Sequence, residues 1–266
     1  MRITKASACI CVFYIVLLVW WLTIQFSKIT STDFNLAFAF AYGLIPLFGG
    51  FVGFHQARKW GLFKSTMGKA LFFLSVGLLT WGLGEMIWSY YNLVLRVEVP
   101  YPSWADASFI VSWPLWAVGV YYLSFATGAR FGLRSAMGRL QLIAIPLVAA
   151  VASYYLLVIV ARQGSFEIAG GLLKIFFDIA YPLLDVLILT LALLIYGLSF
   201  KYLGGRYKWP VLIVLLGFVV NYFADFGFSY TTTVRTFYNG NWVDLLFTSA
   251  MFLLSFGISS LNTKEV

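Results

Sequence analysis

The chain has 266 residues, 62% hydrophobic and only 11% charged, a balance that no soluble globular domain of this length needs. Its net charge of +8 reads as a nucleic-acid signal only until the basic residues are placed, because they fall in short clusters between long apolar runs. A soluble domain has no room in it, and nucleic acid is set aside as a partner.

Stretches of about 20 apolar residues, enough to cross about 30 Å of hydrocarbon, lie near 7–27, 35–55, 70–94, 106–126, 140–161, 180–200, 210–230 and 243–261. The predicted fold is therefore all-α, a polytopic integral membrane protein of eight transmembrane helices. It forms a single membrane domain over 1–266, with a leading hairpin over 1–60 and three related helix hairpins over 70–261. The first span follows Arg2 and Lys5 and resembles a signal peptide, but it is long and lacks a small-residue cleavage site, so it is read as a retained anchor. Cys9 and Cys11 point to different sides of that helix and cannot pair. In the second span, Pro46 with Gly43, Gly49, Gly50 and Gly53 predicts a kinked, closely packed helix.

Placed on eight spans, Lys and Arg fall thirteen on one side and five on the other, so both termini are expected in the cytoplasm and the protein in the cell membrane. The basic loops serve orientation and lipid-headgroup contact, which makes the bilayer itself the first partner. Nine of the ten acids lie in the opposite, outer half or its loops. Orientation does not require this, since acids contribute little to it.

The third and fourth spans match the last two. Asp106 and Asp244 are each followed by Phe three residues on (Phe109, Phe247), Leu nine on (Leu115, Leu253) and Gly thirteen on (Gly119, Gly257). Before them, Glu85-Met-Ile-Trp-Ser-Tyr resembles Asp225-Phe-Gly-Phe-Ser-Tyr. The middle hairpin is degenerate. Its first helix has no acid and carries Ser153-Tyr154-Tyr155, while its second follows Pro182-Leu-Leu-Asp185. This is an internal repeat. The connection 162–179 reads as a short interfacial helix, with a re-entrant segment or a long helix kinked at Pro182 as the alternatives.

Helix capping accounts for three of the aspartates. Ser103-x-x-Asp106 and Asn241-x-x-Asp244 fit a cap with an acid at the third helical position, where the helix dipole favours it. Asp185, just after Pro182, takes the same reading. Glu85 and Asp225 resist it, since each lies about 15 residues into its span, about 20 Å from the inner end at 1.5 Å per residue. A carboxyl at that depth must be paired, protonated or facing water, and so marks a functional site. Trp81 and Trp88 share a helical face with Glu85; Asn221 and Phe228 hold the corresponding places around Asp225. The candidate ligand-binding set is Glu85, Asp225, Asp106, Asp185, Asp244, Trp81 and Trp88, and acid with aromatic walls suits a small cationic ligand.

No catalytic motif is present, and the chain is not expected to be an enzyme. The single histidine, His55, lies at an inner helix end, so zinc, haem and di-metal centres lack ligands and no Ser-His-Asp triad can reach the acids. No cofactor is implied.

The phrases Gly84-Glu-Met-Ile-Trp88, Tyr101-Pro-Ser-Trp-Ala-Asp-Ala-Ser-Phe109, Ala180-Tyr-Pro-Leu-Leu-Asp-Val-Leu187 and Asn241-Trp-Val-Asp-Leu-Leu-Phe247 resemble a multi-helix membrane domain of prokaryotic signalling proteins. In that family the domain precedes diguanylate cyclase and phosphodiesterase domains or histidine kinases, and it also occurs alone. The resemblance covers the last six spans and implies a membrane sensor or binding module of a signalling assembly, with an outward-facing acidic and aromatic site. This chain stops five residues after its last span. Its output would therefore pass through a partner protein, or the chain is the membrane part of a longer one. The alternatives from the residues are a small proton- or cation-coupled transporter using Glu85 and Asp225, and a non-catalytic subunit of a larger membrane complex.

Overall fold

The computed structural model describes residues 4–28, 30, 32–164 and 171–263. The basic and acidic residues Arg2, Glu167, Lys264 and Glu265 lie outside them. Eight helices among the described residues are long and apolar enough to cross a membrane, and no strand accompanies them. The protein is all-helical and multi-pass. The helices are α1 Lys5–Phe26, α2 Asp33–Lys59, α3 Thr66–Tyr90, α4 Trp104–Ala126, α5 Ala136–Ser153, α6 Leu172–Ser199, α7 Lys208–Thr233 and α8 Trp242–Ser260. Wider π-helical turns extend α3 through Tyr91–Leu95 and α5 through Tyr154–Ala161.

Local chemistry sets the helix starts. Thr4 and Ser7 cap α1 reciprocally, each side chain taking the other's backbone N–H at 3.0 and 2.8 Å. Ser65 and Ser135 accept from Gly68 and Gly138 at the starts of α3 and α5.

Neighbour contacts run in a closed circuit: α3 on α4, α4 on α6, α6 on α7, α7 on α8, and α8 back on α3. α2 packs on α3 and α8, α1 covers α2 and α8 on that flank, and α5 leans on α6 from the other side. Small residues permit the close approaches. A Cβ on Gly119 would stand 2.7 Å from Leu74 Cγ and 2.9 Å from its backbone N; one on Gly257 would stand 2.6 Å from Val214 Cγ2 and 3.1 Å from its N. Gly77 lies directly against the Trp116 indole, as Gly217 lies against Leu254. Large apolar side chains point outward along the helices, among them Leu140, Ile143, Leu147 and Val151 of α5. Such a surface is stable against hydrocarbon and not against water.

Two sequence expectations change. The segment before 180 is not a separate interfacial helix: residues 172–179 belong to α6, which runs on through Pro182, while 165–170 lie outside the described residues. A proline inside a helix removes one backbone donor, and the apolar run on both sides of Pro182 packs well enough to carry the helix across it. Consequently Asp185 is not at a helix start. It sits in the middle of α6, and capping does not explain it.

Candidate functional site

The acidic ends of the helices carry two separate carboxyl groupings. The first joins α2, α3 and α8. Glu85 is 3% exposed, with the Tyr42 hydroxyl and the Asp244 carboxyl, itself 2% exposed, as its polar neighbours. Asp244 Oδ2 accepts from the Gly240 backbone N–H at 2.5 Å. Asn241 Oδ1 accepts the N–H groups of Val243 and Asp244 at 2.9 and 3.4 Å, so the cap read from the sequence is present. Three buried polar atoms here have no hydrogen-bond partner: Glu85 Oε1, Ser89 Oγ one helical turn on, and Asn241 Nδ2. A Cβ on Gly43 would meet Glu85 Cγ at 2.6 Å, so α2 reaches the acid only because a glycine faces it.

This grouping is closed rather than open to the end of the bundle. The connection between α7 and α8 crosses there and is tied to three other helices. Trp21 donates to the Asn241 carbonyl at 2.9 Å, Gln25 to that of Gly240 at 2.7 Å and Asn35 to that of Asn239 at 3.0 Å. Trp88 donates to Asn239 Oδ1 at 3.2 Å, and Tyr238 to Gln25 Oε1 at 3.3 Å. Gly240 makes the turn with φ +85°, a conformation side chains rarely adopt.

The second grouping joins α4, α6 and α7. Asp185 accepts from Trp113 Nε1 at 3.0 Å, and its carboxyl lies close enough to that of Asp225 for the two to interact. Asp225, partly exposed, also accepts from Asn221 Nδ2 at 2.7 Å, while Asn221 Oδ1 has no partner. Two carboxylates this close repel each other, and a proton on either one relieves the repulsion. One turn before Asp185, Tyr181 donates to Asp106 Oδ1 at 3.1 Å. The backbone N–H and hydroxyl of Ser103 bond Asp106 Oδ2 at 2.7 and 2.8 Å, the capping box expected there.

At the very end of the bundle, Tyr101 donates to Asp178 Oδ1 at 3.0 Å, and Arg162 pairs with Asp178 at 3.5 Å. Burial and the Asp178 charge push the Tyr101 phenol up, which keeps it a neutral donor. Arg96 pairs with Asp33 nearby. These are the ion pairs among the described residues, and none reaches Glu85, Asp185, Asp225 or Asp244.

Aromatic rings separate the two groupings. Trp81 packs on Phe109 and Phe247 at 5.3 and 5.7 Å between centroids and on Tyr42 at 6.3 Å; Trp88 packs on Phe228 at 6.1 Å. The seven predicted residues are thus divided. Glu85, Asp244, Trp81 and Trp88 lie on one side, Asp106, Asp185 and Asp225 on the other, and Glu85 and Asp225 have different neighbours. Sequence reasoning missed Tyr42, Trp113 and Tyr181 as partners. Tyr181 had only an indirect signal, four residues before Asp185 on one helical face, since the acid it bonds is Asp106 on another helix. Tyr42 and Trp113 come from other helices and had none. Among the described residues no three His, Cys, Asp or Glu side chains converge as metal ligands would. What the arrangement offers chemically is proton exchange at buried carboxyls. The chain matches no protein-family model, and no curated protein or solved structure is detectably similar to it.

Proposed function

We propose that the protein is a proton-responsive sensor module of the cell membrane, both termini cytoplasmic, acting through a partner protein. The observation that carries this reading is the Asp185–Asp225 carboxyl pair, two neighbouring acids with no ion-pair partner among the described residues. With no Lys or Arg paired to these acids among the described residues, the proton is the charge that can be gained or lost, and its loss would set two carboxylates side by side. That repulsion would push α6 from α7, a two-state element of the kind sensing requires. The packed surroundings of Glu85 favour a proton there as well over a larger cationic ligand. The resemblance of the acid-bearing phrases to a signalling membrane domain supports a sensor role.

The matching contacts of Gly77, Gly119, Gly217 and Gly257 support reading α3–α4 and α7–α8 as copies of one hairpin. A proton-coupled carrier is the second reading, favoured by carboxyls at equivalent places in the two hairpins. It stands second because the two hairpins run in the same orientation along the chain, whereas carriers with midplane sites are commonly built from inverted repeats.

The test uses Trp113, whose indole N–H reports directly on Asp185. Tryptophan fluorescence of the purified protein, followed from about pH 4 to about pH 9 where carboxyls and their coupled pairs titrate, should show a reversible transition. Asp225→Asn should abolish it while leaving the protein folded. A parent with a flat profile, or a transition unchanged in Asp225→Asn, would overturn the reading.

A further inference from the structure

At the opposite, basic end, a groove of about 400 Å³ lies between the start of α3 and the end of α4, lined by Thr66, Tyr121, Tyr122, Phe125 and Arg130. The ammonium of Lys69 stands 5.3 Å from the Tyr122 ring centroid, and the guanidinium of Arg130 5.0 Å from that of Phe131. Aromatic faces therefore hold both cations beside the groove. Neither is in an ion pair among the described residues. Thr66 is the first residue of α3, where the Ser65 cap takes the Gly68 N–H and the helix dipole favours an anion. One lining cation, Arg130, a second, Lys69, standing over the Tyr122 ring of the groove wall, and the phenols of Tyr121 and Tyr122 match a phosphodiester, which presents oxygen acceptors and one negative charge.

What distinguishes a lipid from a free phosphate is the surface that continues from the groove. Tyr121 and Phe125 are exposed, and with Val118 and Val111 they form a stripe at helical spacing down the outer face of α4. A headgroup seated between Lys69 and Arg130 would have its acyl chain lie along that stripe, at the level where basic side chains meet anionic headgroups. We propose that this groove is a binding site for an anionic phospholipid, the phosphate held by Lys69 and Arg130 and the chain by the α4 stripe. It is independent of the carboxyl groupings and of the function read from them.

The full chain, purified in neutral detergent, would be exposed to phosphatidylglycerol or phosphatidylcholine at equal concentration, and retained lipid counted by native mass spectrometry. Phosphatidylglycerol should be preferred about tenfold or more, the scale set by two basic contacts. The double variant Lys69→Gln, Arg130→Gln should lose that preference. The double variant Lys201→Gln, Lys208→Gln, which removes equal charge elsewhere at the same end, should keep it. Circular dichroism of each variant separates lost binding from lost fold, and the single variant Arg130→Gln, at an exposed position, serves if the double one fails to fold. Equal retention of both lipids by the parent, or equal loss in both double variants, would overturn the proposal. Inorganic phosphate raising the melting temperature of the parent as much as the lipid does would overturn the lipid assignment.

Discussion

Asp185 and Asp225 meet carboxyl to carboxyl between α6 and α7, with Trp113 donating to the first and Asn221 to the second. Each acid thus has a donor of its own, and the contact between the two carboxyls is left to a proton. Removing an outside donor should cost stability, whereas replacing one acid by its amide should not. Trp113→Phe is expected to destabilise by about 1–3 kcal/mol through the unpaired buried oxygen it leaves. Asp225→Asn should stay within about 1 kcal/mol of the parent, since the amide N–H can replace that proton. Thermal unfolding in detergent, followed by circular dichroism, measures both.

Glu85 and Tyr42 form the corresponding contact of the other grouping, and the pair should be energetically coupled. Tyr42→Phe and Glu85→Gln are each expected to alter stability. Their double variant should depart from additivity by about 0.5–3 kcal/mol, as residues in contact do. An additive cycle would mean that the two side chains are packed together without sharing energy.

The connection from α7 to α8 is held by side chains of α1, α2 and α3, so its opening should be separable from global unfolding. Gln25→Ala with Asn35→Ala removes two of its backbone ties. Hydrogen exchange of residues 236–241 should then accelerate about tenfold or more, one tie being worth about 1 kcal/mol. Exchange in α4 and α6 should be unchanged. Carbodiimide labelling of Glu85 should rise in the same variant, because the connection closes that grouping.

Glycine substitutions test the helix contacts. Gly119→Ala and Gly257→Ala each drive a methyl into the facing backbone N, at 2.9 and 3.1 Å. Each should cost about 1–3 kcal/mol, the range for overpacking. Gly204→Ala, where nothing lies within 4 Å of the added carbon and φ is −127°, should be close to neutral. Urea midpoints in mixed micelles rank the three.

Alkaline pH should loosen the end of the bundle at Tyr101. Its phenol holds its proton more tightly in the folded state than in the unfolded one. The contribution is therefore whole below about pH 10, the ordinary phenol value, and is lost as pH rises above it. Tyr101→Phe, which also gives up the bond to Asp178, should show a lower melting temperature at neutral pH and a shallower alkaline decline.

The sequence by itself determined the eight spans, the all-helical class and the two end caps, because apolar run length and capping residues act within one helix. It also singled out Glu85 and Asp225, since depth along a helix can be counted residue by residue. It misjudged Asp185, reading Pro182 as a helix start, because a proline marks a boundary only when packing does not carry the helix through it. Which acid meets which was decided by tertiary structure alone. Glycines such as Gly43 set how closely helices approach, and helix rotation brings Tyr42 to Glu85 and Asp225 to Asp185. These pairings join residues 43 and 40 positions apart, and no local pattern encodes the relative rotation of helices that distant in the chain.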